Sequence, residues 1–162
     1  VGSEMCIRDS YRMGRLSQHI ATSARRRHPE PVVPAEIMGY FEEYTRLVLD
    51  MSAGLKDILI TRDPELALRL TEDDDAVDDI NHHLLRMLTQ REWKGTVRQA
   101  VETSQLSRYY ERFADHCAAA AGRIIYLATG LDPDRYMRKR DQEQRDAEME
   151  ARMAELERQF RN

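Results

Sequence analysis

The 162-residue sequence predicts an all-α fold, an antiparallel three-helix bundle with one helix before it and a charged helical tail after it. Three observations carry this expectation. Apolar residues recur in steps of three and four over long stretches, and no strand-like alternation competes with them. Glycine and proline are scarce, at 7 and 5 residues, and sit mainly where helices should start or stop. The charged fraction is 33% and the aromatic fraction 7%, a balance that suits helices with solvated faces.

Each element can be justified in chain order. Residues 1–10, "VGSEMCIRDS", show no evident helical periodicity and resemble translated sequencing-adapter read-through. They are read as a non-native leader that should pack poorly, in which case the natural chain begins upstream. Residues 11–28 form a helix on Leu16, Ile20 and Ala24. Residues 29–34 are a linker, with prolines at 29, 31 and 34. Ile37, Phe41, Tyr44, Val48, Met51, Leu55 and Ile58 then make a heptad stripe on a helix of about residues 35–61. Asp63 and Pro64 are the cap and first turn of the next helix, over about 64–90, within which Thr71 is a second cap candidate. The last bundle helix spans about 96–129 and ends at Gly130, where a left-handed C-terminal cap fits. Buried positions should include Ile37, Phe41, Val48, Leu55, Val77, Leu84 and Leu88. The extension 132–162 carries 14 charges among residues 137–162, with Met149, Met153, Leu156 and Phe160 as a brief heptad seam. A solvated helical extension is the preferred reading; a docking helix for a partner or a second copy is the other.

Composition excludes several function classes. A net charge of −4 with only Arg25, Arg26 and Arg27 as a compact basic cluster gives no nucleic-acid footprint. No apolar run approaches the ~20 residues of a membrane span, so direct membrane insertion is not expected, and neither is a secretory signal. Cys6 and Cys117 form no paired motif, which argues against a disulfide framework and for a cytoplasmic setting. There is no glycine-rich phosphate loop and no nucleophile elbow. Cys117 reads as a buried structural thiol.

The informative residues are acidic. "TEDDDAVDDIN" holds six acids from Glu72 to Asp79 and no base. Acids suit a helix's first turn, yet Asp78 and Asp79 lie beyond it. At 100° per residue Asp74 and Asp78 share a side with Val77, Asn81, Leu84 and Leu88, whereas Glu72, Asp73 and Asp79 point to solvent. On the last helix Glu111 and Asp115 align with Ser104, Ala118, Ala119 and Gly122, small residues that leave room beside the carboxylates. Two antiparallel helices would thus each present an acid pair at i and i+4. Carboxylates so close repel unless protonated or neutralised, and all-oxygen ligation suits hard cations or, more loosely, iron and manganese. Ordinary ion pairing with Arg108 and Arg112 is the alternative. His116 points about 100° away from Asp115 and is read as structural. Asp79 and His82 make an Asp-x-x-His spacing, but no Glu-x-x-His of a di-iron enzyme occurs.

"DDAVDDINHHLL" followed by "RYYERFADHCAAAAGRIIYLATG" resembles the second half of the PhoU family, the phosphate-transport accessory and phosphate-signalling regulators. "YRMGRLSQHIA" is similar to the last helix of that family's first bundle, although Tyr11 and Arg15 stand where acids are usual. The resemblance spans about residues 11–131 and implies a truncated first bundle (residues 11–28) and an intact second one (residues 35–131). It implies a metal site at Asp74, Asp78, Glu111 and Asp115, taking divalent or transition-metal ions such as iron, manganese, zinc or magnesium. It further implies a non-enzymatic, metal-binding negative regulator of phosphate uptake and phosphate-starvation signalling. Its partners would be the phosphate ABC transporter and a membrane sensor histidine kinase, and it would be a homodimer when full length. The competing readings are a metal-dependent helical-bundle enzyme and a phosphorelay or adaptor module using His116.

Overall fold

The computed structural model describes residues 2–161, and among them every regular element is helical. The elements are α1 (Gly2–Arg27), a short 3-10 turn at Ala35–Ile37, α2 (Met38–Thr61), α3 (Pro64–Glu72), α4 (Asp74–Thr89), α5 (Val97–Thr129) and α6 (Pro133–Phe160). The long α5 is the spine against which α1, α2, α3 and α4 all pack.

The chain's own caps set these boundaries. The Asp63 carboxylate accepts from the backbone N–H groups of Glu65 and Leu66, and Pro64 begins α3. Arg62 adopts a left-handed conformation (φ 56°) to close α2. Thr96 and Gln99 form a reciprocal capping box at the start of α5. Gly130 ends α5 at φ 74°, a conformation a Cβ would disfavour.

The heptad stripe of α2 is the core. Ile37, Phe41, Tyr44, Val48, Met51, Leu55 and Ile58 are all buried, as are Val77, Leu84 and Leu88 of α4. They meet Leu106, Ala114, Cys117, Ala120, Ala121, Ile124 and Ile125 of α5 in the hydrophobic core. Of the alanines after Cys117, Ala120 and Ala121 thus have a packing role, because short side chains let the neighbouring helices approach α5 closely.

Two expectations are corrected. The described part of residues 1–10 does pack: α1 runs on without interruption from Gly2, and Cys6 and Asp9 are buried. Cys6, Asp9 and Met13 follow one another in steps of three and four, a helical stripe hidden by the polar residue in its middle. The helix over 64–90 is also two helices, broken at Asp73. Thr71 is no cap, since its hydroxyl donates back to the Leu68 carbonyl inside α3. Asp73 keeps helical angles (φ −64°, ψ −18°), so the break is slight.

The tail is one continuous helix, α6, with no buried residue. Its base is tied down at three points. The Tyr136 hydroxyl donates to Glu65 Oε1 at 2.6 Å, and Arg140 Nη1 reaches Glu65 Oε2 at 3.5 Å. Pro133 lies over Gly122 of α5, where an added Cβ would come within 3.2 Å of its ring. Gly122 therefore serves the junction with α6 and does not provide space beside the acids.

Candidate functional site

The register of α4 on α5 builds the site. Ser107 Oγ donates to Asn81 Oδ1 at 2.8 Å across the antiparallel pair. Stepping one turn along each helix in opposite directions brings Asp78 level with Glu111, and a further turn brings Asp74 level with Asp115. The electrostatics agree with that placement. Asp74 feels Asp115, Asp78, Glu111 and Asp75, in that order, and Glu111 feels Asp115 and Asp78.

All four sequence-identified acids therefore come to one face, at graded depth. Glu111 is buried, 8% exposed, Asp74 and Asp78 are half-buried, and Asp115 is exposed. Glu72, Asp73, Asp75 and Asp79 stay in solvent. Burial, then the neighbouring carboxylates, push the Asp74 carboxyl up to about 6. The Glu111 carboxyl is raised by burial first and Asp115 second, against the opposing pull of Arg108.

Arginine compensates only part of this charge. Arg108, one turn back on α5, pairs with Glu111 Oε1. Glu111 Oε2 and Asp74 Oδ1 are buried with no hydrogen-bond partner. Among the described residues Asp74, Asp78 and Asp115 join no ion pair. Two orphaned carboxylate oxygens on facing helices are the acceptors a cation would satisfy, and oxygen-only donors define a preference for hard ions. Among the described residues, no three His, Cys, Asp or Glu side chains are gathered closely enough to ligate one ion as they stand. The site is an acid-lined face whose side chains would have to turn inward to close on a metal.

Behind this face lies a polar chain that sequence reasoning missed. The Tyr44 hydroxyl stands 2.9 Å from Ser107 Oγ, and Ser107 donates on to Asn81, so one hydrogen-bond run links α2, α5 and α4. Burial pushes the Tyr44 hydroxyl up to about 12, and Glu111 and Asp78 add to it. The available signal was Asn81 on an otherwise apolar stripe. Its partner Ser107 carried no mark of its own.

The remaining candidates are held elsewhere. His116 turns toward α1, with Nδ1 3.1 Å from Asp9 Oδ1. Asp9 also pairs with Arg123. Burial and then Arg12 lower the His116 pKa. Cys117 is fully buried, its thiol pushed up to about 12, and its Sγ lies 3.3 Å from Met13 Sδ. His83 bonds the Tyr40 hydroxyl at 2.8 Å, and His82 is exposed.

The fold and site define an all-α helical-bundle domain that sets two acid pairs on one face of adjacent antiparallel helices. Residues 41–124 match the PhoU domain. The chain is 46% identical over 123 residues to a phosphate-specific transport system accessory protein PhoU homolog 1 of Mycobacterium leprae, covering 76% of this chain and 55% of that protein. It is 44% identical over 133 residues to a PhoU homolog 2 of Mycobacterium tuberculosis, covering 82% and 62% respectively. A PhoU homolog 1 of Methanothermobacter thermautotrophicus is 30% identical over 126 residues, covering 75% of this chain and 56% of that protein. The chain belongs to the PhoU family. It spans between 55% and 62% of the length of the mycobacterial relatives named here. No solved structure matches it, and no described helix is long and apolar enough to cross a membrane.

Proposed function

We propose that this chain is a non-catalytic regulator of phosphate uptake and phosphate-starvation signalling, acting on the phosphate ABC transporter and a membrane sensor histidine kinase. The observation that carries the reading is family membership together with relatives named as accessory proteins of a phosphate-specific transport system. The acid face gives it a physical means. Asp74, Asp78, Glu111 and Asp115 would hold a divalent or transition-metal ion, with magnesium, manganese and iron suited to oxygen donors and zinc less so. The bound ion would supply positive charge between α4 and α5. It would relieve the repulsion that, after burial, raises the Asp74 and Glu111 pKa values, and clamp the two helices in one register.

Binding of the chain to phosphate transporter in lipid nanodiscs, with chelator or with each metal, tests the reading. We expect association that strengthens with metal and weakens in Asp115→Asn. No association under any condition overturns the transport role. Association equal in chelator, metal and Asp115→Asn overturns the metal's part in it. Metal should also raise the melting temperature, because it binds the folded site and not the dispersed chain.

A further inference from the structure

We propose that the outer half of α6 pairs in parallel with the same helix of a second copy, forming a short two-stranded coiled coil. Met149, Met153, Leu156 and Phe160 are 66%, 55%, 39% and 88% exposed, although they repeat in the four-three-four steps of a coiled-coil seam. Their placement on the helix is consistent with a docked partner. Counting 100° per residue, the seam lies about 180° around the helix from Tyr136, Met137 and Arg140, the side on which α6 rests on its own bundle. The first seam residue is also about 24 Å along the axis from Pro133, at 1.5 Å per residue. A second α6 can approach the seam with both bundles held on the outside.

The flanking charges select the occupant. With Met149 and Leu156 at d and Met153 and Phe160 at a, the g positions before the seam residues are Arg145 and Arg152, and the e positions after them are Glu150 and Glu157. A parallel pair sets g of one helix against the next e of the other, here Arg145 against Glu150 and Arg152 against Glu157, twice over by symmetry. An antiparallel pair would set arginine against arginine and glutamate against glutamate. Among the described residues Glu150, Arg152 and Glu157 make no ion pair within the chain, whereas Arg158 is already paired with Glu155 and Lys139 with Glu143. Glu150, Arg152 and Glu157 are therefore available to a second copy. Upstream the seam turns polar at Gln142 and Asp146, so the zipper is confined to residues 149–160 and the association is concentration-dependent.

Sedimentation equilibrium of the full chain tests this. The mass should rise from 19.0 kDa toward twice that value with concentration. Met153→Lys, at an exposed position, should abolish the rise without lowering the melting temperature. Charge reversal at both Glu150 and Glu157 should weaken association at least about tenfold. Mixing that variant with the Arg145→Glu, Arg152→Glu chain should restore it. Phe160→Cys should cross-link to its own copy on oxidation if the helices are parallel. A chain that stays at 19.0 kDa throughout, or an association unmoved by Met153→Lys, overturns the proposal. So does a Phe160→Cys chain that cross-links to a Met149→Cys chain but not to a second copy of itself.

Discussion

Replacing Asp74 by Asn removes charge from the acid face with little change of shape. The Asp74 carboxyl moves from 3.8 to about 6, by burial first and then by Asp115, Asp78, Glu111 and Asp75. Its folded pKa lies above the unfolded one, so the stability it contributes is fully present below pH 3.8. That contribution is lost as the pH rises through about 6, because the unfolded chain releases its proton sooner. At 1.36 kcal/mol per pKa unit the loss would approach about 3 kcal/mol, but the half-exposed side chain is screened by solvent and about 1 kcal/mol is the realistic size. Asp74→Asn should therefore stabilise the protein in chelator at pH 7.5 by about 1 kcal/mol, or roughly 2–4 °C in melting temperature. At pH 4.5 the gain should shrink to about a third, because Asp74 is then largely protonated in the folded chain. Urea and thermal melts at the two pH values read both numbers. A variant no more stable than the parent at pH 7.5, or a gain equal at both pH values, refutes uncompensated repulsion at this face.

Ser107→Ala should cost about 2 kcal/mol in urea melts, because it leaves the Tyr44 hydroxyl and Asn81 Oδ1 without their shared buried partner. Thr96→Ala removes one half of the capping box and should cost about 1 kcal/mol, with hydrogen exchange quickening in the first turn of α5. Gly122→Leu should drive Pro133 off α5, making Pro133–Arg140 more open to proteolysis than in the parent. Leu84→Ala should cost about 2–5 kcal/mol in urea melts, since Leu84 is fully buried in the central cluster.

Much of this was legible because helices announce themselves locally. The α2 stripe, the Asp63 cap and the Gly130 stop each follow from residues within a few turns of one another. The two acid pairs were legible for the same reason: i and i+4 spacing fixes a shared face. What escaped was tertiary. Ser107 is unremarkable in sequence and gains meaning only from the register that brings Asn81 and Tyr44 to it. The packing of Cys6 and Asp9 depends on α5 lying alongside α1, and a buried aspartate in the stripe conceals the apolar pattern. The exposure of Asp115 likewise depends on how deeply α4 settles into α5, which spacing does not encode.

The surroundings of the acid face bear on what kind of chemistry it can support. Three reactive side-chain types lie near it, and each is withheld. The Cys117 thiol is pushed up to about 12 by burial and then by Asp74, so almost no thiolate forms near neutral pH. The Tyr44 hydroxyl is also raised to about 12 and is committed to Ser107. His116 turns toward Asp9 of α1, away from the acids, and its lowered pKa disfavours the imidazolium. What remains available is carboxylate oxygen, two atoms of it buried and unpartnered. Buried oxygen of that kind is an acceptor that a cation would satisfy. Positive charge placed there would act on the packing of α4 against α5, and on whatever surface those two helices present together.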